Sequence, residues 1–480
     1  MGSVLQLKLL TTEEVGTIYD KCLDILSSKG VKVDHPQALK ILDKAGAQVN
    51  FDNHQVRFPK DITEAALRSV PHGFTLAAGN ERHDLILPNP TGMAYLMSNT
   101  GANLYLDVDS NACRDLTLAD IEEWTQLVEV LEEIESCAFP VPTDVPEETT
   151  DIHALKALFE NTSKHIMVQP HSFGSLEYLF QLALAVAGST EALKKRPIIG
   201  IASCSMPPLG IKAMDVEVII LSCRYGVPIY PASLPSAGGT SPITIAGTVL
   251  QCSTEILAIL VMSQLIEPGI PIIATPIFFT LDMVTGKALN STAEAILGAA
   301  ASVQFIKDAF HIPTRTHGVD TDSLLPDGQS MIERTIGDQL LSMVGCDILS
   351  GAGQLDVLTT ISPVQLIIDN TLASVLKRVS SGVKVDDDTL AWKEILDIAP
   401  GGNFLELAHT LKHCREALRT ELFVNQPREV WSSEGRKNLY TRAVDKYREL
   451  KKRLQPQQLP EDVKKELNQI VKQADERLAK

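Results

Sequence analysis

The 480-residue sequence lacks both an excess of positive charge and a paired cysteine motif. Its formal net charge of −17 argues against nucleic acid or an anionic membrane as the main partner. The eight cysteines are scattered without a CxxC pair, which disfavours a zinc ribbon, an iron–sulfur cluster and a disulfide framework. The first residues show no basic segment followed by a long apolar core, so no secretion signal is predicted. We therefore expect a cytoplasmic protein that holds no metal ion of its own.

Long apolar runs and nucleotide-binding motifs are missing as well. The most apolar stretch, residues 256–266, is about half the length that a membrane span needs. No GxGxxG or Walker A pattern occurs, and the glycine-rich "SAGGT" at residues 236–240 is not followed by Lys and Thr. Aromatic residues make up only 5% of the chain, so an aromatic side chain near a functional position is informative.

The sequence does contain short apolar strand candidates that alternate with segments of helical periodicity. Strands that are buried on both faces and separated by helices indicate parallel βαβ units with right-handed crossovers. Eight such units predict an α/β fold of the (β/α)₈ barrel type, and an open doubly wound sheet is the alternative. The predicted strands are a segment near Met97 and residues 136–142, 165–171, 197–204, 227–233, 271–279, 312–318 and 346–353.

Extensions are predicted on both sides of the barrel. Residues 1–90 read as a helical extension with short strands, residues 91–380 as the barrel, and residues 381–480 as a charged helical region. Residues 92–110 alternate in polarity as a β-hairpin would, with "NTGAN" available for the turn. The helical extensions make a homo-oligomer plausible.

In barrels of this type, the active site lies where the strands end. No lysine follows a predicted strand directly, which disfavours a Schiff-base aldolase. The histidines at strand ends are His171 and His317, and they lack the spacing of a zinc site.

The loop of residues 315–333, "RTHGVDTDSLLPDGQSMIE", follows the seventh predicted strand. Part of it reads as an ordinary helix start, with Asp327 as a candidate N-cap. That interpretation leaves His317, Asp320 and Asp322 unexplained, because they come directly after the strand. These three residues are therefore candidates for the site.

Four segments resemble the trimethylamine methyltransferase family. They are "GGTSPITIAGTVLQCSTEILA" after the fifth strand, "HGVDTDSLLPDGQ" after the seventh, and "GAGQLD" with "SPVQLIIDN" after the eighth. The similarity runs over most of the chain and implies a (β/α)₈ enzyme that passes a methyl group from an amine to a corrinoid. Gln365 and Asn370 depart from the pattern, since carboxylates are expected there.

The archaeal trimethylamine enzymes carry pyrrolysine in the loop after the seventh strand, at a position that falls at about Asp320 here. This chain has none and resembles the non-pyrrolysine branch, whose members demethylate quaternary amines such as glycine betaine. A quaternary ammonium leaves as a neutral tertiary amine, so a Co(I) corrinoid can attack its methyl carbon without an acid catalyst. The chain has no DxHxxG corrinoid-binding pattern, because "DIHALK" at residues 151–156 ends in lysine. We expect the corrinoid on a separate protein that docks over the barrel mouth.

A quaternary ammonium offers no N–H donor, so aromatic faces and diffuse negative potential must hold it, each cation–π contact contributing about 0.5–2 kcal/mol. Phe278 and Phe279 close the sixth predicted strand, and alternation turns one of them inward. The sequence leaves open which one. Tyr95 and Tyr230 are weaker candidates for the same role.

The carboxylate of a betaine needs hydrogen-bond donors. His317, His171, Arg315 and Gln354 are candidates at strand ends. We favour His317 for the carboxylate, and Asp320 either for the ammonium side or for orienting His317. Arg315 shares a strand face with His317, and a buried pair with a carboxylate inside the barrel is its alternative role.

The leading hypothesis is methyl transfer from glycine betaine to the Co(I) corrinoid of a separate protein, which leaves dimethylglycine. One alternative is a lyase or hydrolase on a similar barrel, with His317 and Asp320 as an acid–base pair. The other is a non-catalytic protein that binds quaternary amines.

Overall fold

The structure, a computed structural model, describes residues 5–479. The first helix begins with a capping box, in which Thr11 and Glu14 satisfy each other's free N–H groups. The residues before the barrel form helices and short strands, as the sequence predicts. The N-terminal elements are α1 Thr12–Ser28, β1 Val31–Val33, α2 Pro36–Lys44, β2 Gln48–Asn50, β3 Gln55–Arg57, α3 Lys60–Ser69, β4 Phe74–Leu76 and β5 Leu85–Leu87.

The middle of the chain alternates strands with helices, as its periodicity predicts. Its elements are β6 Tyr95–Ser98, β7 Leu104–Leu106, β8 Cys113–Asp115, α4 Leu118–Val130, β9 Ser136–Ala138, α5 Thr150–Asn161, β10 His165–Val168, α6 Leu176–Ala187, α7 Thr190–Lys195, β11 Ile199–Met206, β12 Gly210–Ile211, α8 Ala213–Tyr225, β13 Ile229–Ser233, β14 Ser236–Ala237, α9 Ile245–Ile266, β15 Thr275–Pro276, β16 Phe279–Leu281, β17 Ala288–Leu289, α10 Ala293–Ala309, β18 Arg315–His317, α11 Gly328–Met343, β19 Ile348–Ala352, β20 Gln354–Leu355, β21 Thr360–Ile361 and α12 Pro363–Ser380.

Eight of these strands form a closed parallel barrel. Strands β6, β9, β10, β11, β13 and β15 follow one another around the ring, and β18 and β19 lead back to β6. A parallel bridge between Ala274 and Thr314 joins the β15 side to the β18 side. Each predicted strand segment contains one barrel strand, so the predicted (β/α)₈ fold is confirmed.

The predicted hairpin over residues 92–110 is wrong. Strand β6 pairs in parallel with β19 and β9, whereas β7 pairs with β8 and β21 in a separate small sheet. A short alternating run fits either a hairpin or a half-buried parallel strand, so the pattern could not distinguish them. The residues expected in the turn form the loop that follows the first barrel strand.

The N-terminal hairpin of β4 and β5 packs over the N-terminal end of the barrel. Its Leu76, Leu85 and Leu87 are buried in one cluster with Met97 and Met167 of the barrel interior. This packing removes the lower end of the barrel from solvent. An opening to the interior is therefore expected at the carboxyl ends of the strands.

Helix α9 is long and apolar enough to span a membrane, by length and composition alone. However, 72% of its most apolar window is buried inside the protein, where it contacts α1, α3, α8 and α10. Glu255 in this helix is buried and accepts hydrogen bonds from the hydroxyls of Ser205 at 2.6 Å and Ser233 at 2.7 Å. The apolar character of α9 therefore reflects its position between the N-terminal helices and the barrel.

The C-terminal region returns to the barrel. Helix α17 packs on α12 and α4, and α18 packs on α6 and α5. The N-terminal helices pack on α9 in the same manner. The division of the chain at residues 90 and 380 therefore stays a prediction. The C-terminal elements are α13 Asp387–Leu390, α14 Trp392–Asp397, α15 Ala408–His413, α16 Arg428–Ser433, α17 Leu439–Lys451 and α18 Glu461–Leu478.

A fully buried ion pair joins the loops that follow the last two barrel strands. Arg334 of α11 donates to the backbone carbonyls of Val319 and Gln354, and its Nη1 lies 2.9 Å from Oδ2 of Asp369 on α12. Asp369 also accepts from the backbone N–H of Gly353 at 2.7 Å. One guanidinium and one carboxylate thus hold both loops against their helices.

The two departures from the family pattern take part in this local packing. Nε2 of Gln365 donates to Oδ1 of Asp369 at 2.7 Å, a bond that a carboxylate at this position could not make. Oδ1 of Asn370 accepts from the backbone N–H of Glu133 at 2.9 Å. Both amides therefore serve the packing of α12.

We expect Arg334→Leu to lower the free energy of unfolding by about 3–5 kcal/mol, because it leaves Asp369 buried without its cation. Urea unfolding followed by circular dichroism measures the change. Arg68→Leu, which removes an exposed arginine 4.0 Å from Glu64, is the matched control and should alter stability by less than about 0.5 kcal/mol. Equal stabilities of the two variants would contradict the role assigned to Arg334.

Candidate active site at the barrel mouth

Carboxylates on the helices, buried except for the half-buried Glu333, fix the loops at the carboxyl ends of the strands. Each accepts a hydrogen bond from a backbone N–H at or just after a strand end, which holds the loop in one conformation. The pairs are His171 N to Asp151 at 2.9 Å, Cys204 N to Asp215 at 2.6 Å, Leu209 N to Glu255 at 2.9 Å, Asp322 N to Glu333 at 2.9 Å and Gly353 N to Asp369 at 2.7 Å.

A cavity of about 210 Å³ lies inside the barrel at this end. Most of its wall is apolar or weakly polar, and Tyr230, Arg315 and His317 contribute its strongest hydrogen-bonding groups. The lining residues are Thr100, Gly101, Met167, Gln169, Ala202, Cys204, Tyr230, Ala232, Leu234, Thr275, Ile277, Arg315, His317 and Leu358.

Arg315 is 2% exposed, and Asp320 favours its charged form through space without contacting it in an ion pair. Its Nε and Nη2 are buried without a hydrogen-bond partner, and no ion pair to it occurs within residues 5–479. The buried pair with a carboxylate, weighed from the sequence as its alternative role, is therefore absent from the described structure. Burial lowers the pKa of Arg315 to about 10, so the guanidinium stays charged at neutral pH.

His317 lines the cavity two residues further along β18. Its side chain is 5% exposed, and its Nδ1 has no hydrogen-bond partner. Burial and the neighbouring Arg315 hold the pKa of His317 well below its usual range. The imidazole is therefore neutral at pH 7, with one nitrogen able to donate and the other able to accept.

Asp320 lies behind His317. Its Oδ2 is 3.8 Å from Nδ1 of His317 and accepts a hydrogen bond from Nδ2 of Asn290 at 2.6 Å, while Oδ1 accepts from the backbone N–H of Thr321 at 2.7 Å. Burial raises the pKa of Asp320 to about 7. This carboxyl therefore changes charge near neutral pH and can bias the potential at His317.

The loop of residues 315–333 thus serves two purposes. Asp327 caps α11 by accepting from the backbone N–H of Ser330 at 3.0 Å, as its position in the sequence predicts. Asp322 accepts from the backbone N–H groups of Asn290 and Ser291 and fixes a neighbouring loop. Of the three unexplained residues, His317 alone lines the cavity, and Asp320 lies directly behind it.

The two phenylalanines predicted to bind substrate are not among the described residues that line the cavity. The ring of Phe278 packs against α10, where a Cβ on Gly298 would lie 2.3 Å from it. Phe279 belongs to β16, which pairs with β14, and is buried there. Ile277 lines the cavity in their place.

Three other predicted residues lie outside the cavity wall as well. Tyr95 begins β6 at the opposite end of the barrel, and its hydroxyl donates to the carbonyl of Ile86 at 3.4 Å. His171 is exposed on the loop after β10. Gln354 is buried and donates from Nε2 to the carbonyls of Thr100 at 3.0 Å and Leu358 at 2.9 Å, so it supports two residues of the wall.

Tyr230, a weaker candidate in the sequence, lines the cavity. It is the second residue of β13 and shares its face with Ala232, which also lines the cavity. Its ring occupies the space beside Gly200 on β11, where a Cβ would lie 2.3 Å from Cε2 of the tyrosine. Strand parity in the sequence, counted from the strand centre, was the signal that could have found it.

The segment nearest to a corrinoid-binding pattern makes contacts within the protein. In "DIHALK" of α5, Asp151 holds the loop at His171, and Nε2 of His153 lies 3.1 Å from the carboxylate of Asp475. Within residues 5–479, no group of three or more His, Cys, Asp or Glu side chains is arranged to hold a metal ion.

A closed (β/α)₈ barrel with a small cavity at its mouth is a common enzyme architecture, and comparison with known proteins gives the class. The sequence pattern of the trimethylamine methyltransferase family, MTTB, matches residues 2–479. The chain belongs to this family, as the resemblance predicted.

Individual relatives agree with this assignment. The trimethylamine methyltransferase MttB of Desulfitobacterium hafniense is 29% identical, over 97% of this chain and 93% of its own. A glycine betaine methyltransferase of the same species is 26% identical over 90% of each chain. The crystal structure of the Methanosarcina barkeri monomethylamine methyltransferase, MtmB, matches with a TM-score of 0.50 at 14% identity, over 95% of this chain and 96% of that one, and supports the fold.

We expect Asp320→Asn to flatten the pH dependence of stability. The folded chain binds the Asp320 proton with a pKa of about 7, whereas the unfolded chain releases it at about 3.9, so this residue makes the folded state less stable as pH rises from about 4 to 7. The asparagine does not titrate, and the variant should lose less stability than wild type between pH 5 and pH 8.

Urea unfolding at unit pH intervals measures this slope. Asp61→Asn, at an exposed position of α3, is the control and should keep the wild-type slope. A wild-type slope in Asp320→Asn would contradict the protonation assigned to Asp320.

Proposed function

We propose that this protein acts in the cytoplasm and moves a methyl group from a quaternary amine, most specifically glycine betaine, to the Co(I) corrinoid of a separate protein, leaving dimethylglycine. Membership of the methyltransferase family supports methyl transfer. The observation that carries the quaternary substrate is the cavity itself, which presents a neutral histidine and a tyrosine beside one permanent cation. Neither lysine nor a carboxyl group is among the described residues that line it.

The chemistry of the leaving group fits this lining. When the bond between the methyl carbon and a quaternary nitrogen breaks, its electron pair stays on nitrogen and a neutral tertiary amine departs. No proton has to be delivered, so the lining residues need only bind, orient and exclude water. A corrinoid supplies the Co(I) nucleophile when its carrier protein is docked.

The cavity volume supports a corrinoid held on a partner. At about 210 Å³ the cavity is smaller than the 300–1,000 Å³ that is typical of sites for drug-sized ligands, so it suits a small amine and not a corrin ring. The methyl group must therefore meet cobalt at the mouth, between the loops that the carboxylates of the surrounding helices hold.

Within this proposal, His317 and Asp320 act on the ammonium end. His317 faces the cavity as a neutral ring, and Asp320 behind it supplies negative potential when it is ionised. The quaternary nitrogen, which cannot accept or donate a hydrogen bond, is held by this potential and by the face of Tyr230.

Self-association as a homo-oligomer is part of the proposal. The segment between α12 and α17 exposes many apolar side chains, among them Val383 at 76%, Leu405 at 82% and Leu411 at 78%. Exposed apolar surface of this extent commonly marks a protein interface.

We expect the protein to methylate free Co(I) cobalamin with glycine betaine, because the substrate needs no acid catalyst. The formation of methylcobalamin, followed by its absorbance, measures the reaction with a panel of betaines, choline and trimethylamine. Transfer from trimethylamine alone would overturn the quaternary substrate. Binding of betaine without transfer would favour a binding protein, and betaine turnover without any corrinoid would favour a lyase or hydrolase.

We expect His317→Ala and Asp320→Ala each to lower kcat/KM for methyl transfer at least tenfold, a loss of about 1.4 kcal/mol or more in transition-state stabilisation. His72→Ala, a control at an exposed histidine of the N-terminal region, should keep the wild-type rate. Wild-type rates in both site variants would show that the loop of residues 315–333 has only a structural role.

A further inference from the structure

We propose that Arg315 and Tyr230 form an anion subsite inside the cavity, which binds the carboxylate of the substrate and turns the methyl groups of its ammonium toward the mouth. This inference rests on the proposed function and deepens it. It makes Arg315 the residue that restricts substrates to zwitterions, and it moves the carboxylate from His317, where the sequence suggested it, to Arg315.

The two unpartnered nitrogens of Arg315 have a specific arrangement. Nε and Nη2 lie on the same edge of the guanidinium, and both are buried without a hydrogen-bond partner. Two parallel N–H groups of this kind match the two oxygens of one carboxylate. The hydroxyl of Tyr230, also buried without a partner, can donate a third hydrogen bond.

The charge of Arg315 demands an anion. A guanidinium enclosed in a protein is costly unless an opposite charge and hydrogen bonds compensate it, and the part of the chain that the structure describes places no carboxylate in ion-pair contact with it. Asp320 acts on the guanidinium only through space, so a carboxylate of the ligand is the group that can pair with it directly. Tetramethylammonium, choline or protonated trimethylamine would bring a second positive charge into the same small space and would be repelled.

The direction of β18 sets the orientation of the substrate. Arg315 begins this strand and His317 ends it, so the guanidinium arises deeper in the barrel than the imidazole. At about 3.3 Å per residue, their backbone positions differ by about 6–7 Å along the strand. A carboxylate on Arg315 therefore leaves the ammonium group on the His317 side, closest to the mouth.

Gly200 contributes to the subsite because it has no side chain. A side chain there would overlap the Tyr230 ring, because its Cβ would lie 2.3 Å from Cε2. The glycine on β11 thus leaves the phenol its position on the cavity wall. It is a positioning residue for the proposed third donor.

Calorimetric titration of the protein alone tests the subsite without any corrinoid. We expect glycine betaine to bind wild type and its methyl ester, which keeps the ammonium and lacks the carboxylate, to bind at least thirtyfold more weakly. Arg315→Met should weaken betaine binding at least thirtyfold, Arg315→Lys by less because it keeps the charge, and Tyr230→Phe by about three- to tenfold. Arg224→Met, at an exposed arginine of α8, should bind as wild type does.

Thermal unfolding separates a lost subsite from a lost fold. Arg315→Met removes an uncompensated buried charge, so its Tm without ligand should equal or exceed that of wild type, while betaine should raise only the wild-type Tm. Wild-type affinity in a folded Arg315→Met, or equal binding of betaine and its ester, would overturn the subsite and leave the methyl transfer intact. If wild type bound neither betaine nor ester, the proposed function would fail together with the subsite.

Discussion

The mouth of this barrel depends on backbone N–H groups that donate to carboxylates of the surrounding helices. Asp151, Asp215, Glu255, Glu333 and Asp369 each hold one loop in this way. Because a charged acceptor binds an N–H group about twice as strongly as a neutral one, these bonds oppose rearrangement of the loops when a small ligand enters. The cavity is therefore set by the scaffold before a ligand enters.

Arg334 extends this arrangement from single loops to a pair of them. It donates to the backbone carbonyl of Val319, after the seventh strand, and to that of Gln354, after the eighth, and it pairs with Asp369. Its charge also contributes to the potential at Asp320. Asp320, which lies behind His317, is therefore in the electrostatic field of an arginine that also holds the two loops in place. Structural and electrostatic roles share the same buried network, as expected where the local dielectric is low.

The fold could be predicted because buried parallel strands leave a simple record in the sequence, namely short apolar runs that alternate with amphipathic helices. The residues that line the cavity left a weaker record in the sequence. The sixth strand ends at Pro276, so Phe278 and Phe279 lie beyond it and strand parity does not apply to them. Tyr95 lies at the end of its strand that faces away from the mouth, whereas Tyr230 lies within a strand whose limits were predicted well. The unpaired state of Arg315 depends on contacts between distant segments, which periodicity cannot reveal.

The attachment of α18 has a consequence for how the protein is made. Asp475 of this helix accepts from the hydroxyl of Thr149 and contacts His153, next to the Asp151 that holds the loop at His171. The ribosome synthesises α18 only after all eight strands, so a nascent chain with a complete barrel still lacks this support. One wall of the mouth therefore gains its final neighbours late in biogenesis, when the last helix docks on α5 and α6.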